Sequence, residues 1–145
     1  MSLMKFYLLI VLVLISKHTM AQDSTNIKIE APKIVAKLPL GKTYNSEDIQ
    51  IKFVDVLTDS RCPEDATCFW AGQVVALVEV YKNNTLLTQK ELVFEPGKTM
   101  SKDLMTLYAS EETVILAQNV FPYPRDKKQI KKEDYYLQLG VHLKE

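Results

Sequence analysis

Two cysteines, Cys62 and Cys68, stand six positions apart in the stretch Asp59-Ser60-Arg61-Cys62-Pro63-Glu64-Asp65-Ala66-Thr67-Cys68-Phe69-Trp70-Ala71-Gly72, which also holds the only tryptophan of the chain. Three chemistries are open to these residue types. The thiols can join as a disulfide or bind a metal, and the carboxylates of Asp55, Asp59, Glu64 and Asp65 can offer oxygen ligands to calcium. Arg61 can pair with one of those acids or present its guanidinium to an anionic partner, the internal pair being the commoner arrangement. The acids do not follow the EF-hand spacing, so a solvated acidic loop is the simpler reading. Structural zinc takes four ligands, and two cysteines with one distant histidine fall short. The expectation is therefore a Cys62–Cys68 disulfide, no metal and no cofactor. Closing so short a loop stabilises by about 2 kcal/mol on the chain-entropy model, enough to fix a loop but not to hold a whole fold.

Catalysis by histidine would have to pass through His142, because the other histidine, His18, lies in an N-terminal leader described below. A Ser-His-Asp or Cys-His arrangement needs that imidazole as base, yet His142 sits near the chain end on the more polar side of an alternating run. It reads as a solvated strand residue whose replacement by alanine changes little. No glycine-rich phosphate loop is present, and no facing pair of acids of the glycosidase kind is visible. An enzyme is not expected.

A second cluster is Phe121-Pro122-Tyr123-Pro124-Arg125. Its prolines end the preceding strand, and X-Pro bonds are the ones that adopt the cis form. Such a cluster either caps a β core or makes a flat recognition surface. The basic run that follows, from Arg125 to Asp134, is interspersed with acids and reads as a solvated loop. Asn83-Asn84-Thr85 matches a glycosylation sequon, which matters only in a eukaryotic secretory pathway.

The elements that must position these clusters are strands. Tyr135, Leu137, Leu139, Val141 and Leu143 alternate with Tyr136, Gln138, Gly140, His142 and Lys144, the pattern of a half-buried antiparallel strand. Ile49, Ile51 and Phe53 alternate likewise, and the phase then moves to Val54 and Val56, which predicts a bulge near Phe53. Gln73 to Lys82 is apolar on both faces, as a central strand should be. Asn83-Asn84 then predicts a hairpin into a run starting at Thr85. Glu95-Pro96-Gly97-Lys98 predicts a further turn, Thr113 to Phe121 a strand, and Lys33 to Leu40 an early strand ended by Gly41. Met100, Leu104, Leu107 and Tyr108 fit helical spacing, whereas Met100, Leu104 and Tyr108 also fit one face of a strand; with no convincing cap, strand or irregular edge is preferred. Trp70 is placed over the core, substantially buried, at a cost of about 3–5 kcal/mol on truncation. The fold class expected is all-β: a single-domain antiparallel β-sandwich, or barrel-like sandwich, with one short disulfide-closed loop.

Residues 1–21 read as a secretory signal peptide: Lys5, an apolar run from Phe6 to Ile15, and a small residue, Ala21, before Gln22. That run is too short for a bilayer span, which takes roughly twenty residues, and no cysteine near the cleavage point suggests lipidation. Residues 22–145 are the expected β domain. The chain carries 18 Lys and Arg against 18 Asp and Glu, and the leader removes Lys5 and Lys17 but no acid, leaving an excess of two negative charges. Nucleic-acid binding needs a basic excess and is not expected. Paired cysteines suit an oxidising compartment, so the expected location is periplasmic or secreted, with no membrane span in the mature chain.

The strings Asp59-Ser60-Arg61-Cys62-Pro63 and Cys68-Phe69-Trp70-Ala71-Gly72, followed by a valine-rich strand and by Pro122-Tyr123-Pro124, give the chain a further bearing. From about Ile49 to Val141 it resembles a group of small exported bacterial proteins that share a D-S-R-C-P-x4-C-x-W-A-G core and a downstream P-Y-P. The resemblance implies export and β structure and carries over no catalytic residue. This chain lacks the lipidated cysteine of some of those proteins, so it does not imply surface anchoring. The function expected is a non-enzymatic binding or structural module whose partner is an envelope or extracellular protein or a glycan. Its candidate contact residues are Arg61, Phe69, Trp70, Tyr123 and Arg125. The rival is a peptidase inhibitor that presents the disulfide-braced loop, which would keep Arg61 or Phe69 exposed; a purely structural loop would fold both back.

Overall fold

Alternating apolar residues become eight strands: β1 Lys33–Pro39, β2 Thr43–Ser46, β3 Ile49–Asp59, β4 Val74–Lys82, β5 Thr85–Phe94, β6 Thr106–Ala109, β7 Thr113–Phe121 and β8 Tyr136–Leu143. The structure, a computed structural model, describes residues 33–98, 100–125 and 128–144. The expected signal peptide lies outside the described residues. The strands form two four-stranded antiparallel sheets, β1-β8-β7-β6 and β2-β3-β4-β5, packed as a sandwich.

Each sheet turns one face inward. Ile49, Ile51 and Phe53 of β3 are buried; the register then shifts between Phe53 and Asp55, and Val56 becomes the next buried residue. This bulge is the change of phase seen in the sequence. On β8, Leu137, Leu139 and Val141 are buried, and with Ile115 and Val120 of β7 they meet the β3 and β4 side chains in one shared core. Removing each such side chain from water contributes roughly 1.5–3 kcal/mol. β4 runs between β3 and β5 and is buried at Val74, Val75, Ala76, Val78 and Val80, which is why its sequence is apolar on both faces.

Turns sit where residue chemistry places them. Asn83 and Asn84 have φ of 49° and 63°, the positive pair that a two-residue hairpin loop needs. At Gly41 the chain crosses between sheets: Leu40 N donates to Tyr135 O at 2.9 Å, and Gly41 N donates to Phe53 O at 2.7 Å. The ambiguous stretch resolves into both of its periodicities in succession. Lys102–Met105 make one helical turn, α1, and Thr106–Ala109 make β6. Strand was the expectation; the helical turn forms because Met105 N closes back on Ser101 O while the Met105 side chain enters the core.

Asp59 pairs with Val74 at the end of the β3–β4 ladder, and Phe121 pairs with Tyr136 at the end of the β7–β8 ladder. The cysteine loop between β3 and β4 and the proline loop between β7 and β8 are therefore drawn to one end of the sandwich.

Candidate functional site

Arg61 joins these two loops. Its side chain is 1 % exposed and forms a two-pronged ion pair with Asp59, Nε to Oδ1 at 2.8 Å and Nη2 to Oδ2 at 2.6 Å. The guanidinium also donates from Nη1 to Val120 O at 2.7 Å and from Nη2 to Pro122 O at 2.9 Å. Its flat face lies 4.8 Å from the centre of the Tyr123 ring, a cation–π contact. Asp59 in turn accepts a hydrogen bond from the Tyr135 hydroxyl at 3.0 Å. Burial by itself pushes the Asp59 carboxyl up, but the Arg61 bonds and charge outweigh it and hold the group below its ordinary value. Burial, then the bond to the Asp59 carboxylate, pushes the Tyr135 phenol up to about 12. The result is a satisfied network whose polar groups face one another and hold the end of β3 to the ends of β7 and β8.

The loop beyond Arg61 is braced along its length. At the neck, Ser60 N donates to Gln73 O at 2.8 Å, Gln73 N to Ser60 Oγ at 3.1 Å, and Cys62 N to Ala71 O at 3.2 Å. Gly72, at φ +69°, lets the strands of the neck close: a Cβ there would lie 1.9 Å from Ser60 O. Cys62 and Cys68 form the expected disulfide, with Cα atoms 5.9 Å apart. Glu64 N donates to Pro124 O at 3.0 Å, and the Arg125 guanidinium grips the Glu64 carboxylate at 2.6 Å. Backbone and side chains thus tie the cysteine loop to the proline loop, whose Phe121–Pro122 bond is cis.

Two side chains of this loop stand outside the bracing. Phe69 is 103 % exposed and Trp70 is 63 % exposed. Burial of Trp70 was the expectation, on the ground that it precedes the apolar strand. The positive-φ residue Gly72 breaks that continuity: the chain reverses before β4 begins at Val74, so the inward phase of the strand does not reach back to Trp70. Of the five candidate contact residues, Phe69, Trp70 and Arg125 are exposed, Tyr123 is half-buried under Arg61, and Arg61 is withdrawn from the surface altogether.

The acids once open to calcium have found cations within the chain. Asp55 is bonded by Lys132 Nζ at 2.9 Å, which holds its carboxyl low, Asp59 by Arg61, and Glu64 by Arg125. Among the described residues no group of three or more His, Cys, Asp or Glu is placed to hold a metal ion, and no helix is long and apolar enough to cross a membrane. His142 lies half-buried on β8 opposite Val114 of β7, in a shallow hollow with Leu116 and Tyr108.

The roles of Tyr135, Lys132 and the Arg125–Glu64 pair carry no sequence signal, since each depends on a partner brought in from the opposite loop or sheet. Compared with protein-family models, curated proteins and solved structures, the chain matches none.

Proposed function

We propose that this chain is an exported, non-enzymatic β-sandwich module that acts by binding, with Phe69 and Trp70 as its contact residues and Arg125 at their flank. One observation carries the reading. In a loop whose neck, bridge, ion pairs and glycine all serve to hold its shape, the two large aromatics alone make no such contribution and stand in solvent. A loop fixed before association loses less conformational freedom on binding, and tryptophan is among the residues that dominate interface energetics. Export is supported by the leader, by the disulfide and by the resemblance to small exported bacterial proteins. The non-enzymatic part rests on the pairing of the acids at this end and on the position of the single mature histidine, well away from them in the sheet.

A peptidase inhibitor is a second reading, favoured by the full exposure of Phe69. Two observations weigh against it. Arg61 is buried, and the chain bends through Phe69 and Trp70 rather than running extended as a substrate-like segment does.

The test is immobilised mature protein beside a Phe69→Ser/Trp70→Ser variant, probed with envelope proteins and a glycan array. A partner held by the wild type and weakened about a hundredfold in the variant supports the reading. Equal binding by both, or inhibition of an aromatic-specific peptidase panel with no other binding, overturns it.

A further inference from the structure

The chemistry around Phe69 and Trp70 narrows the partner beyond what a binding role requires. Phe69 touches nothing in the chain and Trp70 little, so together they form a protrusion rather than a floor. A sugar platform needs aromatic faces together with unspent hydroxyl, amide or carboxylate groups. Here Ser60, Asp59, Arg61, Glu64 and Arg125 all have partners inside the chain. A nucleic-acid or anionic-lipid surface needs basic excess, yet the bases at this end are matched, Arg61 to Asp59, Arg125 to Glu64 and Lys132 to Asp55. A neutral bilayer fares no better. A single acyl chain gives only marginal, reversible attachment, and stable anchoring takes a second signal; two ring side chains without a polybasic patch provide none.

What remains is a surface that supplies the apolar concavity itself. We infer that the Cys62–Gly72 loop is a preformed aromatic wedge that seats Phe69 and Trp70 in an apolar cleft of a partner protein. The inference rests on the binding role proposed above. The wedge is convex, nearly charge-neutral in its pairing and held by the disulfide, by the Ser60–Gln73 neck and by the Glu64–Arg125 pair. Such a shape fits a cleft in which desolvated aromatic anchors carry most of the affinity.

Trp70 is the only tryptophan, so it reports on its own burial. Mature protein carrying 5-fluorotryptophan at this one site is followed by fluorine NMR during titration with three separate preparations: detergent-free envelope proteins, phosphatidylethanolamine–phosphatidylglycerol vesicles, and envelope polysaccharide. The expected result is a shifted or broadened resonance with the protein preparation alone. Protease digestion of that preparation should abolish the change, and Phe69→Ser should weaken it by about thirtyfold. A response to vesicles or to polysaccharide overturns the wedge in favour of lipid or glycan, while the binding role survives. A silent resonance alongside a partner that Phe69→Ser/Trp70→Ser retains overturns both.

Discussion

Arg61 Nη1 lies 2.7 Å from the carbonyl oxygen of Val120, 59 residues further along the chain. A guanidinium from the end of one sheet thus satisfies the last buried turn of the other, and Asp59 neutralises it from two positions away. Loss of either partner leaves a charge stranded inside the protein, which costs far more than the pair contributes.

Arg61→Ala is accordingly expected to destabilise by about 3–5 kcal/mol, the range for breaking a buried ion pair. Arg61→Lys should recover little, because an ammonium cannot span the Asp59 carboxylate, Val120 O and Pro122 O with a planar fork. Urea unfolding midpoints check this; a lysine variant as stable as the wild type would show that only the charge matters.

The same network makes stability depend on pH at both ends. Asp59 is held below its ordinary 3.8 in the folded protein. Its contribution is therefore present above 3.8 and disappears as pH falls through the depressed value. Tyr135 is raised from 10.0 to about 12, so its contribution is full below 10.0 and is lost as pH climbs toward 12. The stability gap between wild type and Asp59→Asn should be constant near neutrality and close below 3.8. A gap unchanged down to about pH 2 would mean that the carboxylate charge is not what holds the clamp.

Much of this architecture was legible from residue order. Period-two alternation marked β3, β7 and β8, Asn83-Asn84 marked the hairpin, and the phase change at Phe53 marked a bulge that the register confirms. These are local signals, set by neighbours within a few positions. Arg61 was not legible, because its decisive acceptors are backbone carbonyls 59 and 61 residues away, and a carbonyl has no sequence identity. Trp70 misled for the opposite reason. Its hydrophobicity and its place before a buried strand are real, but Gly72 turns the chain between them.

Gly72 provides a contrast with two glycines of similar backbone. Gly41, Gly72 and Gly97 have φ of 76°, 69° and 75°, yet an added Cβ meets nothing within 4 Å at Gly41 and Gly97, whereas at Gly72 it meets Ser60 O at 1.9 Å. Alanine at 41 or 97 should cost about 1–2 kcal/mol, the left-handed penalty alone. At Gly72 the clash falls on backbone and adds to that penalty, so Gly72→Ala should be the most damaging of the three and should open the neck. Amide exchange at Ser60 and Gln73 reads the opening directly; equal losses at all three positions would contradict the close approach.

Removing the bridge should loosen the loop without unfolding the sandwich. Cys62→Ser/Cys68→Ser is expected to cost about 2 kcal/mol by the loop-entropy argument, less than the loss of Arg61. The neck bonds and the Glu64–Arg125 pair remain to hold the loop near its place. If the double serine variant fails to fold while Arg61→Ala folds, the order of importance of bridge and clamp is reversed.

Phe69 and Trp70 separate stability from function. Side chains 103 % and 63 % exposed give up little on truncation, and surface substitutions away from caps and buried networks stay within about 0.5 kcal/mol. Phe69→Ser/Trp70→Ser should therefore unfold at nearly the wild-type urea concentration, in place of the 3–5 kcal/mol loss that a buried tryptophan would bring. The Trp70 emission of the free protein should be red-shifted and open to small quenchers, and it should move to the blue only when a partner covers the loop. Keeping apolar rings in water raises the tendency to associate, so the serine variant should also be the more soluble of the two. A blue-shifted, shielded tryptophan in the free protein, or a loss of several kcal/mol in the double variant, would place Trp70 against the sheet and remove the contact surface on which the binding role depends.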